Sequence, residues 1–146
     1  INALLQNEKI RIRNPHAVRP WQHVLEPLAG YLNLAEKLYS KGFEFAEGWN
    51  FGPNESDAKS VEWIVARLCQ KWEGSAGYFV DKGEHPHEAN YLKLDCSKAK
   101  NRLNWYPKWN LEKAIDYIIE WTIAYKAKKD IKETCLKQIA EYMRSE

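Results

Sequence analysis

Arg19 is flanked by Val18 and Pro20 and is followed, seven residues on, by the pair Glu26-Pro27. Proline disfavours the α region for the residue before it, so Arg19 is predicted to be extended, with its guanidinium carried by a strand end. Glu26-Pro27 reads as the first turn of a helix. There proline's missing N–H had no partner to lose, and a carboxylate complements the positive end of the helix dipole. A planar, permanently charged fork beside a helix N-terminus is suited to a phosphate or a diphosphate. The plain alternative is a surface arginine paired with Glu26 or with solvent.

Three other groups of residues invite a chemical reading. In His85-Pro86-His87-Glu88, a neutral imidazole at His85 can donate one hydrogen bond to a phosphate but brings no permanent charge. The same loop could simply cap the strand that follows it. His85, His87 and Glu88 as metal ligands would still need partners that the spacing does not supply. Arg13 is placed to reach a base or a ribose, or only to line a turn. Tyr78/Lys82 and Tyr125/Lys129 have the Tyr-x-x-x-Lys spacing in which a lysine lowers a tyrosine's pKa. With eight Tyr and sixteen Lys in 146 residues, about one such match arises by chance, so neither pair is assigned a catalytic role. The seven glycines form no Gly-x-Gly-x-x-Gly turn, and no dinucleotide fingerprint is present. Trp63, Trp72, Trp105 and Trp109 are read as packing residues rather than sugar-stacking ones.

The stretch Arg19-Pro20-Trp21-Gln22-His23-Val24-Leu25-Glu26 resembles a segment of the extended short-chain dehydrogenase/reductases that act on nucleotide sugars. Trp49-Asn50-Phe51-Gly52-Pro53-Asn54 and the run from Gly83 through Asp95-Cys96-Ser97-Lys98-Ala99 carry the same resemblance in the same order, and the wording is that of the CDP-glucose branch. It covers nearly the whole chain but only the C-terminal part of such an enzyme. The resemblance implies that residues 1–146 form the nucleotide-sugar-binding lobe, mostly helical with a few short strands, which packs beside a Rossmann domain absent from this chain. It implies CDP-glucose as substrate, contacted through Arg19 at the diphosphate and through His85, where many relatives carry arginine. It also implies NAD held by the missing domain and none on this chain. Chemistry in the family is an internal redox reaction: NAD takes a hydride from C4, water leaves across C5 and C6, and the hydride returns to C6. The chain alone is therefore expected to be inactive, and the full enzyme to be a homo-oligomer. The other readings are another nucleotide-sugar epimerase or dehydratase, or a free-standing carbohydrate-binding or interaction module.

The elements that must hold these residues follow from hydrophobic spacing, and their mixture indicates an α+β fold. Short strands are predicted at Ile10–Arg13 and Pro20–Val24, and at Tyr78–Val80 and Tyr91–Leu94, with a further strand within Phe43–Asn50. Helices are predicted from Leu25 to about Ser40, with Leu25, Leu28, Ala29, Leu32, Ala35 and Tyr39 as the apolar stripe and Gly42 as the stop, and over Val61–Trp72, stopped by Gly74. A brief one ends at Leu103 after a cap by Asp95 or Ser97, and a long one follows Asn110, with Leu111, Ala114, Ile115, Ile118, Ile119, Thr122 and Tyr125 on its buried side. The last helix runs from about Asp130 to Tyr142, with Ile131, Cys135, Leu136, Ile139 and Met143 as its buried stripe. Apolar residues make up 45% of the chain, enough for one core. A net charge of +2, from 22 basic and 20 acidic residues, gives no electrostatic case for nucleic acid or a membrane surface. Three dispersed cysteines without a Cys-x-x-Cys fit a reducing cytoplasm, and neither a signal peptide nor a membrane-length apolar run is read. The start at Ile1 is expected of a fragment. If a Rossmann lobe normally covers this one, the chain alone should expose an apolar patch.

Overall fold

The computed structural model describes residues 1–74, 76–83 and 89–145. Six α-helices and four three-residue strands follow one another among these: α1 (Asn2–Leu5), β1 (Ile10–Ile12), β2 (Val18–Pro20), α2 (Leu25–Lys41), β3 (Ala58–Ser60), α3 (Val61–Lys71), β4 (Tyr78–Val80), α4 (Ser97–Leu103), α5 (Leu111–Lys126) and α6 (Ile131–Arg144). The predicted α+β mixture is present. β1 pairs in parallel with β4, and β2 pairs antiparallel with β3, so the strands make two small sheets.

Helix boundaries follow the local chemistry closely. Ser60 accepts from Trp63 N at the start of α3, and Asn110 accepts from Lys113 N at the start of α5. Asp130 accepts from both Lys132 N and Glu133 N before α6. Each of these bonds satisfies a donor that has no partner within its helix. At α4 the capping acceptor is the Asp95 carboxylate, 2.9 Å from Ser97 N. Gly42 closes α2 with φ +64°, a conformation that side chains with a Cβ resist.

Three predicted strands differ from what forms. The second strand occupies Val18–Pro20 rather than Pro20–Val24, since that is the segment β3 can pair with. Pro20 has no N–H to continue a ladder, and Trp21 N turns back to Arg19 O. Phe43–Asn50 holds no strand; Gly42–Phe45 is a 3₁₀ turn, and Phe43 is 96% exposed. Tyr91–Leu94 reduces to a single bridge between Tyr91 and Val18.

Two hydrophobic clusters make the core. One joins Leu4, Ile64, Trp72, Leu111, Ile115 and Ile119, and thereby packs α1, α3 and α5 together. The other joins Phe45, Phe51, Cys96, Ala99, Leu103 and Trp105 around α4. Fully burying one such large apolar side chain contributes about 1.5–3 kcal/mol. The helical stripes of α2 and α6 are turned otherwise than predicted. Leu32 in α2 is 73% exposed and Met143 in α6 is 75% exposed, with Leu28, Leu136 and Ile139 also exposed. The buried positions are instead Glu26 and Gly30 in α2, and Gln138 and Tyr142 in α6. Hydrogen bonding explains the choice: Gln138 donates to Tyr117 O, and Tyr142 to Glu26, which fixes the polar side of α6 inward.

Candidate functional site

Arg19 lies at the centre of three short chain segments. On one side β2 pairs with β3 in the register Val18↔Ser60, Arg19↔Lys59, Pro20↔Ala58. On the other, Val18 N donates to Asn90 O and Leu92 N donates to Val18 O. Arg19 is extended, as Pro20 requires of it, and half-buried. Its Nη1 donates to Val18 O at 2.9 Å and to Ala89 O at 2.8 Å. The guanidinium is thus anchored to Ala89, a residue distant in sequence from β2. His85 itself, with His87 and Glu88, lies outside the described residues.

Arg13 is exposed just beyond β1, and the turn in which Ala17 N donates to Asn14 O separates it from β2. Arg13 therefore lies outside the sheet that carries Arg19. Lys59, which the sequence reading did not select, is the residue brought directly opposite Arg19. No local pattern marks it; only the strand register does.

Buried polar groups hold the start of α2 against the loop before α5. Glu26 has no exposure, and its carboxylate accepts from Trp109 N at 2.7 Å, Lys108 N at 3.1 Å and Tyr142 Oη at 2.7 Å. Burial and that carboxylate push the Tyr142 hydroxyl far up, so it stays a donor. Asp57, also buried, accepts from Leu111 N at 3.1 Å. The Trp21 indole donates to Lys59 O at 2.9 Å and ties the start of the α2 segment to β3. A cleft of about 220 Å³ lies near the end of β2, lined among others by Pro20, Asn54, Lys93, Asp95 and Lys100. Arg19 is not among its lining residues. Side chains alternate along a strand, so Arg19 and Pro20 face opposite ways.

The two Tyr-x-x-x-Lys pairs are not shaped for base chemistry. Tyr78 donates to Glu62, and burial together with that carboxylate raises its pKa, opposite to what a base needs. Tyr125 is half-exposed near the end of α5, while Lys129 lies beyond the helix. β3 runs straight into α3 through Lys59 and Ser60, with no glycine at that turn. Among the described residues no cluster suits a metal ion, and no helix is long and apolar enough to cross a membrane. Trp72, Trp105 and Trp109 are buried, in keeping with packing roles, and Trp63 packs against the first core cluster.

No family model matches the chain. It is 47% identical over 143 residues to the CDP-glucose 4,6-dehydratase of Salmonella typhimurium, a match that takes in 98% of the chain. By sequence, the chain is a partial-length relative of that dehydratase. It spans 40% of the dehydratase's length. A dTDP-glucose 4,6-dehydratase from Bacillus anthracis, solved in complex with NAD, has the same fold over 82% of the chain and 36% of its own, with a TM-score of 0.58 at 21% identity. The α+β arrangement is thus one found within nucleotide-sugar dehydratases.

Proposed function

We propose that the chain is the C-terminal, nucleotide-sugar-binding part of a CDP-glucose 4,6-dehydratase. NAD and the catalytic groups belong to a Rossmann domain that packs against it, so the chain alone does not turn over. The observation that carries this reading is Arg19, held between β3 and the segment at residues 90–92 in a chain 47% identical to such an enzyme. Its role is to bind the diphosphate of CDP-glucose, with His85 contacting the nucleotide and Arg13 reaching toward the base or ribose. A fork of N–H donors gives two parallel bonds to phosphate oxygens, each charge-assisted bond contributing about 1.5–3 kcal/mol. The absence of a glycine turn supports placing NAD elsewhere, and the reducing cytoplasm is the proposed setting.

Calorimetric titration of the chain with CDP-glucose and with NAD tests the assignment. Binding of CDP-glucose alone is expected, and Arg19→Gln should weaken it by about tenfold or more, the equivalent of one charge-assisted contact. Turnover should appear only once the N-terminal region is supplied. Turnover by the chain alone would overturn the division of labour, and an unchanged affinity in the Arg19 variant would remove its role. GDP-, UDP- and dTDP-sugars in the same titration distinguish another dehydratase or epimerase. Binding of free glycan without a diphosphate would mark a carbohydrate module, a reading that the burial of Trp72, Trp105 and Trp109 disfavours.

A further inference from the structure

We propose that Lys59 is a second phosphate-binding residue which, with Arg19, forms a two-cation clamp across the β2–β3 pair; the proposal rests on the diphosphate reading of Arg19. Its basis is the register. Arg19 and Lys59 are direct antiparallel partners, and such partners project from the same face. Val61 N donates to Ala17 O at 2.9 Å. Ladder bonds alternate between successive pairs, so Arg19 and Lys59 also form a hydrogen-bonded pair, with Cα atoms about 5.5 Å apart.

Like charges placed directly opposite one another destabilise a strand pair. The fold nevertheless holds both residues in place. Trp21 holds Lys59 O, Ser60 caps α3 immediately after it, and Arg19 is tied to Val18 O and Ala89 O. Among the described residues no carboxylate forms an ion pair with Lys59. Its ammonium rests 5.7 Å from the centre of the Trp63 ring, at the far end of a flexible four-carbon stem. An ammonium on a half-exposed ring is held more weakly than one bonded to phosphate oxygens, so a ligand can draw it off.

The two cations differ in what they can hold. Arginine offers a fixed fork to one phosphate, and lysine a mobile point charge to the next. A ligand with two linked phosphates can attract both groups at once. A monophosphate satisfies only one of them. Lys59 therefore selects nucleoside diphosphates over nucleoside monophosphates, a discrimination that Arg19 alone does not supply.

The test is calorimetric titration of the chain with CDP and with CMP at fixed salt, alongside thermal unfolding of each variant. Lys59→Gln is expected to weaken CDP binding by about tenfold while leaving CMP within about twofold, and Lys59→Arg to restore most of the CDP affinity. If Lys59→Gln binds CDP as the parent does while Arg19→Gln does not, Lys59 has no part in binding and the Arg19 reading survives. If Lys59→Gln weakens CDP and CMP equally and lowers the unfolding temperature, its role is structural and the clamp is overturned. If the parent chain binds no CDP, or Arg19→Gln changes nothing, the diphosphate reading fails and takes the clamp with it.

Discussion

Glu26 joins three parts of the chain through one buried carboxylate. Two backbone N–H groups from the loop before α5 and one hydroxyl from α6 converge on its carboxylate, and none of that carboxylate reaches solvent. Truncation to alanine leaves all three donors without a partner in a closed space. Each buried unsatisfied group costs about 1–3 kcal/mol, so Glu26→Ala should destabilise the chain by about 3 kcal/mol or more in a denaturant titration. A loss below about 0.5 kcal/mol would mean that water or a rearranged loop replaces the carboxylate. The sequence shows Glu26 as a first-turn acid complementing a helix dipole, which it is. That it is also the hub joining α2, the loop and α6 depends on residues 82 and 116 positions away. No local pattern encodes such a distance.

At the scale of elements, α2 shows how packing overrides a helical stripe. Gly30 is buried where the stripe predicts no contact, because Phe51 lies against it: an added Cβ would stand 2.4 Å from the Phe51 ring. The ring is itself enclosed by Tyr31 and Trp105 in edge-to-face contact, so it has little freedom to yield. Gly30→Ala should gain about 1 kcal/mol of helix propensity and lose more through overpacking, which costs about 1–3 kcal/mol, for a net destabilisation. Leu32, two residues on and 73% exposed, should tolerate lysine within about 0.5 kcal/mol. Thermal unfolding of the pair checks both. The opposite order, with Leu32 the sensitive position, would restore the stripe read from the sequence. The α5 stripe does hold at Leu111, Ala114, Ile115 and Ile119, since α5 packs against α3 along its apolar side.

For the molecule as a whole, stability should fall in two steps as pH drops. His23 is buried beside Trp109, and desolvation lowers its pKa below the usual imidazole value. The unfolded chain then binds more protons than the folded one once pH falls below about 6.5, so stability present above that point is lost through the folded pKa. The second step comes from carboxylates whose pKa values are lowered by partners on other segments: Glu47 by Lys98 and Arg102, Glu112 by Lys71 and Arg67, and Glu120 by Lys137. Their contribution is present above the ordinary carboxylate range near 4.3 and is lost as pH falls through their lowered values. These pairs are largely exposed, so salt should shrink the second step. Unfolding temperatures measured from pH 7.5 to 3.5 should show both, and His23→Gln should remove the first alone. A single step below pH 4.5 in the parent chain would show that His23 titrates normally in the fold.

The sequence by itself determined what depends on neighbours along the chain. Ser60, Asn110 and Asp130 start helices because their side chains reach donors two or three residues on, Gly42 stops one because it tolerates positive φ, and Pro20 holds Arg19 extended. It also singled out Arg19 as a candidate phosphate contact, through its place before Pro20 and the helix start at Glu26-Pro27. Tertiary structure decided everything that needs a partner distant in sequence. Only the β2–β3 register puts Lys59 opposite Arg19, only packing turns Gly30 rather than Leu32 inward, and only the closed loop makes Glu26 a buried hub. A short strand has too few residues to declare its own register, and an amphipathic helix offers more apolar surface than one neighbour can cover. Those choices are made by the free energy of the assembled chain.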